Sequence, residues 1–403
     1  MTSTSTISNR WLAVLGGVLM NLSLGAFYGW SLYIPALEKS LNVTRTQSSN
    51  IFSIAVVVFA ISFLIAGRIQ DKKGPYLVAM LGSFLFSLGF LLTSRATSLM
   101  EMYLAYGVVV GVGTGFGYVP PIGVISKWFP DRRGLVVGIA VGAFGAGSAL
   151  LGPFLPGWIE NHGWQTVLMW QGIIYFAATM LAAQFLKNPP AGYVPAGWTP
   201  VKTAAGTASN DYTPSEMLRT PQFYRLAIGY AFGISAGLLV ISQLLPFARQ
   251  SISGMSAALA GTAVTIAAIG NTAGRILSGW LSDSIGRVRT ISIMVLLSAI
   301  TLPVLGRIDS LALFWPLIFI IYYCYGTQLS LYATTTADFF GARNVGTNYG
   351  FVFLAFGVAG VVGPRLGGVL FDQFHSYTRA FDIAAVLLVV ALLIIATLKP
   401  PRK

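Results

Sequence analysis

One arginine lies inside an otherwise apolar part of the chain. Arg275 occurs in GNTAGRILSG, residues 270–279, where its neighbours are small, apolar or uncharged. A charge in a membrane-like stretch is costly unless it faces a cavity or a partner. The 12 acidic residues all fall in loops or near predicted helix ends, so no resident partner for the arginine is evident. Because a guanidinium fork matches a carboxylate bidentately, Arg275 is predicted to bind an anion.

The composition indicates what surrounds this arginine. Of the 403 residues 55% are hydrophobic and only 9% are charged, which is typical of a polytopic membrane protein. A membrane-spanning helix needs about 20 mostly apolar residues. The sequence therefore predicts an all-α membrane protein with twelve transmembrane helices. The predicted spans are 11–36, 47–66, 76–94, 98–126, 134–158, 165–186, 221–247, 256–281, 288–306, 311–337, 347–370 and 377–397.

The positive charges are distributed unevenly between the two sides of these spans. With the N-terminus inside, 17 of the 25 basic residues fall on the cytoplasmic side and 7 on the other side, and Arg275 is the remaining one. This bias follows the positive-inside rule and predicts a multi-pass protein of the cell inner membrane with both termini in the cytoplasm. It also accounts for the net charge of +13 without a nucleic-acid partner.

The sequence predicts two similar halves. A polar segment rich in Pro, Gly, Ser and Thr, 188–219, separates a predicted bundle at 1–187 from one at 220–403. GRIQDKKG at 67–74 matches GWLSDSIG at 279–286, with Gly, Asp and Gly each displaced by 212 residues. Two pseudo-symmetric six-helix bundles are expected in a secondary transporter whose binding site lies between its halves.

The repeated loop also carries a family resemblance. Gly67, Asp71 and Gly74, echoed by a second copy with Asp283 and Arg287, resemble the signature loop of the major facilitator superfamily. This resemblance covers the whole chain. It implies alternating access by two rocking halves and an ionic latch at the gating loops.

A second resemblance concerns the branch of that superfamily. KWFPDRRGLVVGIAVGAFGAG (127–147) and GAFYGW (25–30) are similar to monocarboxylate-transporter motifs, although Asp131 and Leu24 depart from them. RTPQFYRL (219–226) and NYGF (348–351) are similar to segments of bacterial oxalate:formate antiporters. The resemblance places Arg275 where these carriers have a substrate-binding arginine in helix 8.

The number of cations then favours one class of substrate. Oxalate carriers have a second basic residue in helix 11, and that position is Phe356 here. The first predicted span has no Lys or Arg between Arg10 and Lys39. One arginine with aromatic surroundings suits a small monocarboxylate such as lactate or pyruvate.

Further pocket residues follow from the cavity-lining helices of the superfamily. Tyr28, Tyr118 and Tyr325 match aromatic pocket positions of the oxalate carriers, and Tyr332 lies two turns from Tyr325 on the same helix face. Tyrosine offers an apolar ring and a hydroxyl that can bond a carboxylate. The complete predicted substrate site is Arg275, Tyr118, Asn271, Tyr28, Tyr325, Tyr332, Phe353, Phe356 and Gln243.

Two coupling modes stay open at this point. Animal monocarboxylate carriers have an Asp four residues before the helix 8 arginine, whereas this chain has Asn271, which cannot carry a proton. Proton symport is the first hypothesis, with the proton on the substrate or on an acid near a helix end such as Asp382. Exchange of two anions, as in oxalate:formate antiporters, is the alternative.

Other functional classes explain the residues less well. A sensor would need a signalling domain, and a carrier of neutral solutes leaves Arg275 unexplained. No cluster of metal-ligating or nucleophilic residues indicates an enzyme, so no cofactor is expected. The expected partners are a monocarboxylate anion, a proton and the lipid bilayer, and the expected oligomeric state is a monomer.

Overall fold

The computed structural model describes residues 10–190, 192–195, 211–341 and 344–401, and these fold into helices and connecting turns without a strand. Twelve helical segments are labelled α1 to α12 in chain order. The element Leu155–Phe185 is divided at Gly163, whose φ of 78° is not helical, so that 155–162 extends the fifth segment.

The first six are α1 (Trp11–Leu24, Gly25–Leu32 and Ile34–Leu41), α2 (Arg45–Lys73), α3 (Pro75–Thr93), α4 (Leu99–Met102, Tyr103–Val110 and Gly111–Trp128), α5 (Arg133–Ala146 with 155–162) and α6 (164–185). The last six are α7 (Pro221–Ser251), α8 (Ala257–Ile285), α9 (Arg287–Leu305), α10 (Leu311–Phe340), α11 (Val345–Phe374) and α12 (Thr378–Ala396).

The helices have the length and the outward apolar surface of membrane spans. Among the described residues, 10 helices are long and apolar enough to cross a bilayer. The other two segments are α5, which is interrupted by turns at 147–154, and α8, which carries Arg275 and other polar residues. Large apolar side chains such as Ile174, Trp280 and Leu393 are more than half exposed, as expected for contact with lipid. The prediction of a twelve-helix, all-α membrane protein is confirmed.

The structure describes part of the predicted linker. Of the segment 188–219, residues 191 and 196–210 lie outside the described residues. The described part ends in a short helix, Pro214–Met217, directly before α7. Tyr212, just before that helix, donates its backbone N–H to the carbonyl of Phe340 at the end of α10.

The two halves repeat the same backbone at the duplicated loop. Gly74 ends α2 and precedes α3 with φ 86°, and Gly286 ends α8 and precedes α9 with φ 95°. Such positive φ values are readily adopted only by glycine. The repeat found in the sequence therefore has a common structural cause, a sharp turn between two long helices in each half.

Two pairs of helices bring the halves together. α2 packs along α11, and α5 packs along α8. Polar contacts support the second pair, because the Thr272 hydroxyl donates to the Gly142 carbonyl at 3.2 Å and the Thr265 hydroxyl donates to the Ala149 carbonyl at 2.8 Å. The end of the molecule at which α1 begins is called the inner end, after the predicted topology, and the opposite end is called the outer end.

Glycines allow α8 to lie close to α10 beside the predicted site residues Asn271 and Arg275. A Cβ added at Gly274 would stand 2.0 Å from the Tyr323 carbonyl oxygen, and one at Gly326 would stand 2.1 Å from the Asn271 carbonyl oxygen. Small residues permit such backbone approach between membrane helices. This contact fixes the stretch of α8 that carries Asn271 and Arg275.

Replacing Gly274 by alanine is expected to destabilise the protein. The new methyl group would meet backbone atoms that cannot move without separating α8 from α10, and overpacking of this kind costs about 1–3 kcal/mol. The apparent melting temperature of the detergent-purified Gly274→Ala variant should fall below that of the parent. Gly279→Ala on the same helix is the matched control, because no atom lies within 4 Å of its Cβ position. Equal melting temperatures for the two variants would contradict this account of the helix contact.

Candidate functional site

The guanidinium of Arg275 lies between the two halves of the molecule. Its residue is only 3% exposed, although it carries a full charge. The Nε atom donates to Asn271 Oδ1 at 3.0 Å, one turn earlier on α8. The Nη1 atom donates to the Val141 carbonyl at 2.9 Å and to the Tyr118 hydroxyl at 3.3 Å, and Nη2 donates to the Tyr28 hydroxyl at 3.4 Å. Arg275 of the second half is therefore held by α1, α4 and α5 of the first.

A pair of tyrosine hydroxyls closes one side of this site. The hydroxyl oxygens of Tyr28 on α1 and Tyr325 on α10 are 2.8 Å apart, and either can donate to the other. The two rings meet edge to face with centroids 5.9 Å apart. The predicted residues Tyr28, Tyr118, Asn271, Arg275 and Tyr325 thus come together from four helices, α1, α4, α8 and α10.

The positive charge in this site is hydrogen-bonded by neutral groups but is not neutralised. Within the part of the chain that the structure describes, no carboxylate pairs with Arg275, and its acceptors are an amide oxygen, a carbonyl oxygen and two hydroxyls. The bonds to Tyr118 and Tyr28, at 3.3 and 3.4 Å, are long compared with the roughly 2.7–2.9 Å of a charge-assisted bond to a carboxylate. A carboxylate at this position can therefore form stronger bonds than the two hydroxyls do.

Asn271 supplies a second polar group beside the guanidinium. Its Oδ1 accepts from Arg275, which leaves its Nδ2 as a buried donor that has no partner among the described residues. A buried donor without a partner is unfavourable by roughly 1–3 kcal/mol. A carboxylate or hydroxyl oxygen placed beside Arg275 can satisfy this donor and remove that cost.

An aromatic wall adjoins the polar site. Phe353 and Phe356 on α11 stack with centroids 4.9 Å apart and planes 10° apart. Phe59 on α2 contacts both rings, at 5.5 and 5.7 Å, and also contacts the Tyr118 ring at 5.6 Å. Phe59 thereby connects the wall to the residues that hold the guanidinium. The wall thus places an apolar surface next to the cationic part of the site.

The structure also adds residues that the sequence did not reveal as part of the site. Phe144 on α5 lies 5.8 Å from the guanidinium carbon of Arg275 and packs edge to face on Tyr28 and Tyr118. Phe144 occurs in the helix 5 motif, which could have indicated it, whereas Phe59 carries no such signal. The carbonyl of Val141 acts through its backbone, so its side chain could not identify it.

Two predicted pocket residues have other neighbours in the structure. Tyr332 stacks on Tyr230 of α7 with centroids 4.1 Å apart, and the Tyr332 hydroxyl has no partner among the described residues. Gln243 donates to Ser49 at 2.7 Å and accepts from Tyr377 at 3.2 Å. Gln243 therefore joins a polar cluster at the outer end, and the structure does not bring it to Arg275.

Asp382, the acid considered for proton coupling, is engaged at the surface. Its carboxylate accepts two hydrogen bonds from Arg307, at 2.7 and 2.8 Å. This bidentate contact raises the pKa of Arg307, which lies in the loop between α9 and α10. The pair connects that loop to α12 and does not contact the guanidinium of Arg275.

The predicted gating loops differ from each other in their charges. Arg287 pairs with Asp283 at 2.6 Å and with Asp338 of α10 at 3.4 Å, which forms an ionic contact at the inner end of the second half. In the first half, Asp71 is exposed and has no ion pair within the described ranges. The surroundings of Gly67 are open, with no atom within 4 Å of its Cβ position.

Comparisons with known proteins agree with this architecture. The family model described as Major Facilitator Superfamily matches residues 18–352 and 248–403. The chain is 31% identical over 363 residues to an uncharacterised MFS-type transporter of Escherichia coli (strain K12), YhjX, covering 90% of this chain and 88% of that one. It is 28% identical to the oxalate:formate antiporter of Oxalobacter formigenes, covering 99% and 94%. It is 27% identical to human monocarboxylate transporter 11, covering 94% and 80%.

Solved structures share the fold at lower sequence identity. A bacterial homologue of the human lysosomal transporter Spinster, in an inward-facing and unoccupied conformation, superposes with a TM-score of 0.70 at 18% identity, covering 96% of this chain and 97% of that one. The fucose:proton symporter FucP of E. coli superposes with a TM-score of 0.65 at 15% identity, covering 97% and 98%. With the family model matched along most of its length, this chain belongs to the Major Facilitator Superfamily and is a membrane transporter related to the monocarboxylate transporters and the oxalate:formate antiporter.

Proposed function

We propose that this protein is a secondary active transporter of small monocarboxylates of the lactate or pyruvate type, which it carries together with a proton by alternating access. The substrate carboxylate binds Arg275. The protein lies in the cell inner membrane with both termini in the cytoplasm, as the distribution of basic residues predicts.

The observation that carries this proposal is the buried, unneutralised guanidinium of Arg275. Its acceptors are neutral, and Asn271 adds an unpartnered donor beside it. Burying a charge is costly when no opposite charge balances it, so an anionic substrate is the ligand that stabilises this site most. A neutral sugar or drug would leave that charge unbalanced.

The count of charges supports a substrate with a single carboxylate. Phe356 stands where oxalate carriers have their second cation, and it stacks on Phe353. The site thus offers one guanidinium and, beside it, an apolar wall that can take up a methyl group. The hydroxyls of Tyr28 and Tyr325 are available for a 2-hydroxyl or a 2-keto oxygen.

Exchange of two anions is the second candidate, and one observation favours it. Asn271 contacts Arg275 at the position where animal monocarboxylate carriers have an aspartate, and an amide cannot carry a proton. Without a carboxylate at this position, charge balance can be achieved by moving one anion inward and another outward. In the symport hypothesis the proton then travels on the substrate or on an acid near a helix end.

Uptake of radiolabelled L-lactate into proteoliposomes tests the proposal. An inwardly directed proton gradient, with no anion loaded inside, should drive accumulation that a protonophore abolishes. Liposomes without protein give the background. Uptake that requires an internal acid such as oxalate or formate, and that ignores the proton gradient, would replace symport by exchange. The absence of lactate binding as well as uptake would reject the monocarboxylate proposal.

Replacing Arg275 by lysine tests the carboxylate anchor. Lysine keeps the charge but loses the planar fork, so lactate should bind at least about tenfold more weakly, a loss of roughly one charge-assisted hydrogen bond. Isothermal titration or scintillation proximity binding measures this change. Arg289→Lys is the matched control, because Arg289 is an exposed arginine at the inner end. Equal lactate affinity of Arg275→Lys and the parent would rule out the anchor.

Replacing Phe356 by lysine tests the basis of substrate choice. A second cation in the aromatic wall should improve binding of oxalate relative to lactate by about tenfold, because a dicarboxylate can pair with both charges. Competition of each acid against labelled lactate measures the ratio. Phe356→Leu separates the loss of the ring from the gain of charge, and the ratio should stay near that of the parent in this variant. If Phe356→Lys and Phe356→Leu had the same ratio of oxalate to lactate affinity, residue 356 would not determine how many carboxylates the preferred substrate carries.

A further inference from the structure

A carboxylate of one half caps a helix of the other half at the outer end. Asp372, near the end of α11, accepts the backbone N–H groups of Arg45 at 3.1 Å and Thr46 at 2.9 Å, which are the first two of α2. It also accepts the Thr46 hydroxyl at 2.5 Å. Thr44 already caps the third N–H, that of Gln47, from within the first half. Asp372 thus completes the cap of α2 across the boundary between the halves, where the helix dipole also favours a negative charge.

The side chain of Arg45 adds a second connection at the same place. Arg45 is 6% exposed, and its guanidinium forms a bidentate pair with Glu38 of its own half. The remaining nitrogen donates to the hydroxyl of Tyr377, and the guanidinium lies 4.5 Å from the ring centroid of Phe371. Both of these partners belong to the second half. Arg45 is therefore neutralised on its own side and bonded to the other.

Gln243 extends the cluster to a third helix. Its amide donates to Ser49 of α2 at 2.7 Å and accepts from Tyr377 at 3.2 Å. Beside it α2 and α11 lie so close that a Cβ at Gly368 would stand 2.8 Å from Thr46 Cα and 2.9 Å from Ser49 Oγ. The outer end is thereby closed at α2, α7 and α11 by contacts between opposite halves.

We propose that five residues form the gate that closes the path to Arg275 at the outer end. Together called the outer latch, they are Arg45, Thr46, Gln243, Asp372 and Tyr377. The cap of α2 by Asp372 must break for the outer face to open. The inference rests on alternating access but not on which acid is carried.

The chemistry of the outer latch suits a gate that opens and closes repeatedly. When the halves rock apart, water can replace each broken bond, so a polar contact separates at a lower net cost than its strength in isolation suggests. Asp372 and the free N–H groups of α2 both become hydrated in the open state. Removing the carboxylate therefore shifts the balance of conformers towards an open outer face without altering the site at Arg275.

A cysteine reporter one turn inside the outer latch tests this proposal without any substrate. Ser53 follows Ser49 by four residues on the same face of α2 and is 5% exposed. In a Ser53→Cys protein, the rate of labelling by a membrane-impermeant maleimide added from outside intact cells reports the opening of the outer face. Protein that retains only the natural Cys324, which is buried, gives the background.

Loss of the cap should accelerate this labelling. Asp372→Ala in the Ser53→Cys protein should increase the rate by about fivefold or more, as expected for the loss of about one net hydrogen bond from the closed state. Asp372→Asn, which keeps the shape and one acceptor, should give an intermediate rate and replaces the alanine variant if that variant does not fold. Asp309→Ala is the matched control, because Asp309 is an exposed acid at the outer end. Its backbone carbonyl accepts the N–H of Ser253, and the substitution keeps that carbonyl. An unchanged rate in folded Asp372 variants would overturn the proposal.

A reversible cross-link gives an independent measurement. A Cβ at Gly368 would stand 2.9 Å from Ser49 Oγ and 2.8 Å from Thr46 Cα, so cysteines at positions 49 and 368 are close enough for a disulfide once α2 and α11 have shifted slightly to admit the new Cβ. Oxidised Ser49→Cys/Gly368→Cys protein should lose transport and regain it on reduction, whereas each single variant should ignore the oxidant. If the cross-linked protein transported as fast as the same protein after reduction of the disulfide, the outer latch would not need to open. Failure of lactate as a substrate would leave the labelling result unaffected.

Discussion

The structure depends most on the burial of one guanidinium in a helical bundle that faces lipid. Removing a charge from water is expensive, and the groups around Arg275 reduce that cost without cancelling the charge. Asn271 bonds Nε from one turn away, and the Val141 carbonyl and the Tyr118 and Tyr28 hydroxyls bond the terminal nitrogens. Neutral acceptors hold the side chain in place and leave its positive charge available to an anion.

The same contacts couple the site to the two halves. Arg275 belongs to the second half, whereas Tyr28, Tyr118 and Val141 belong to the first. A carboxylate that takes over bonds from these acceptors changes how firmly the halves are joined at their centre. Under the proposed function, substrate binding and rocking of the halves would be linked through this single side chain, because a ligand favours the conformer that it binds better.

The two ends of the interface are stabilised by different chemistry. At the outer end, hydrogen bonds from Arg45 to Asp372 and Tyr377 join one half to the other, while the ion pair of Arg45 with Glu38 stays within the first half. At the inner end, the ion pairs of Arg287 with Asp283 and Asp338 stay within the second half. Hydrogen bonds of the charged groups Asp372 and Arg45 thus cross between the halves at the outer end, whereas the ion pairs of Arg287 at the inner end connect helices of one half.

Much of this protein follows from its sequence because membrane helices obey local rules. Apolar length predicts the spans, and the displaced Gly and Asp residues predict two similar halves with equivalent turns at Gly74 and Gly286. The sequence also predicts a functional role for Arg275, because a charge in an apolar stretch is unfavourable unless it faces a cavity or a partner. The tyrosines at 28, 118 and 325 came from a family resemblance, and the structure brings them to the arginine.

Only the tertiary structure decided which groups from distant helices meet. The contact of Arg275 with the Val141 carbonyl depends on a backbone atom, which residue type does not reveal. Gln243 and Tyr325 both lie on helices that the family resemblance predicts to line the cavity. Their depth along the helix axis puts Gln243 beside Ser49 at the outer end and Tyr325 beside Tyr28 at the centre. Sequence periodicity reports which face of a helix is buried, whereas the depth, tilt and partner of that face are set by how closely small residues such as Gly274 and Gly326 let neighbouring helices approach.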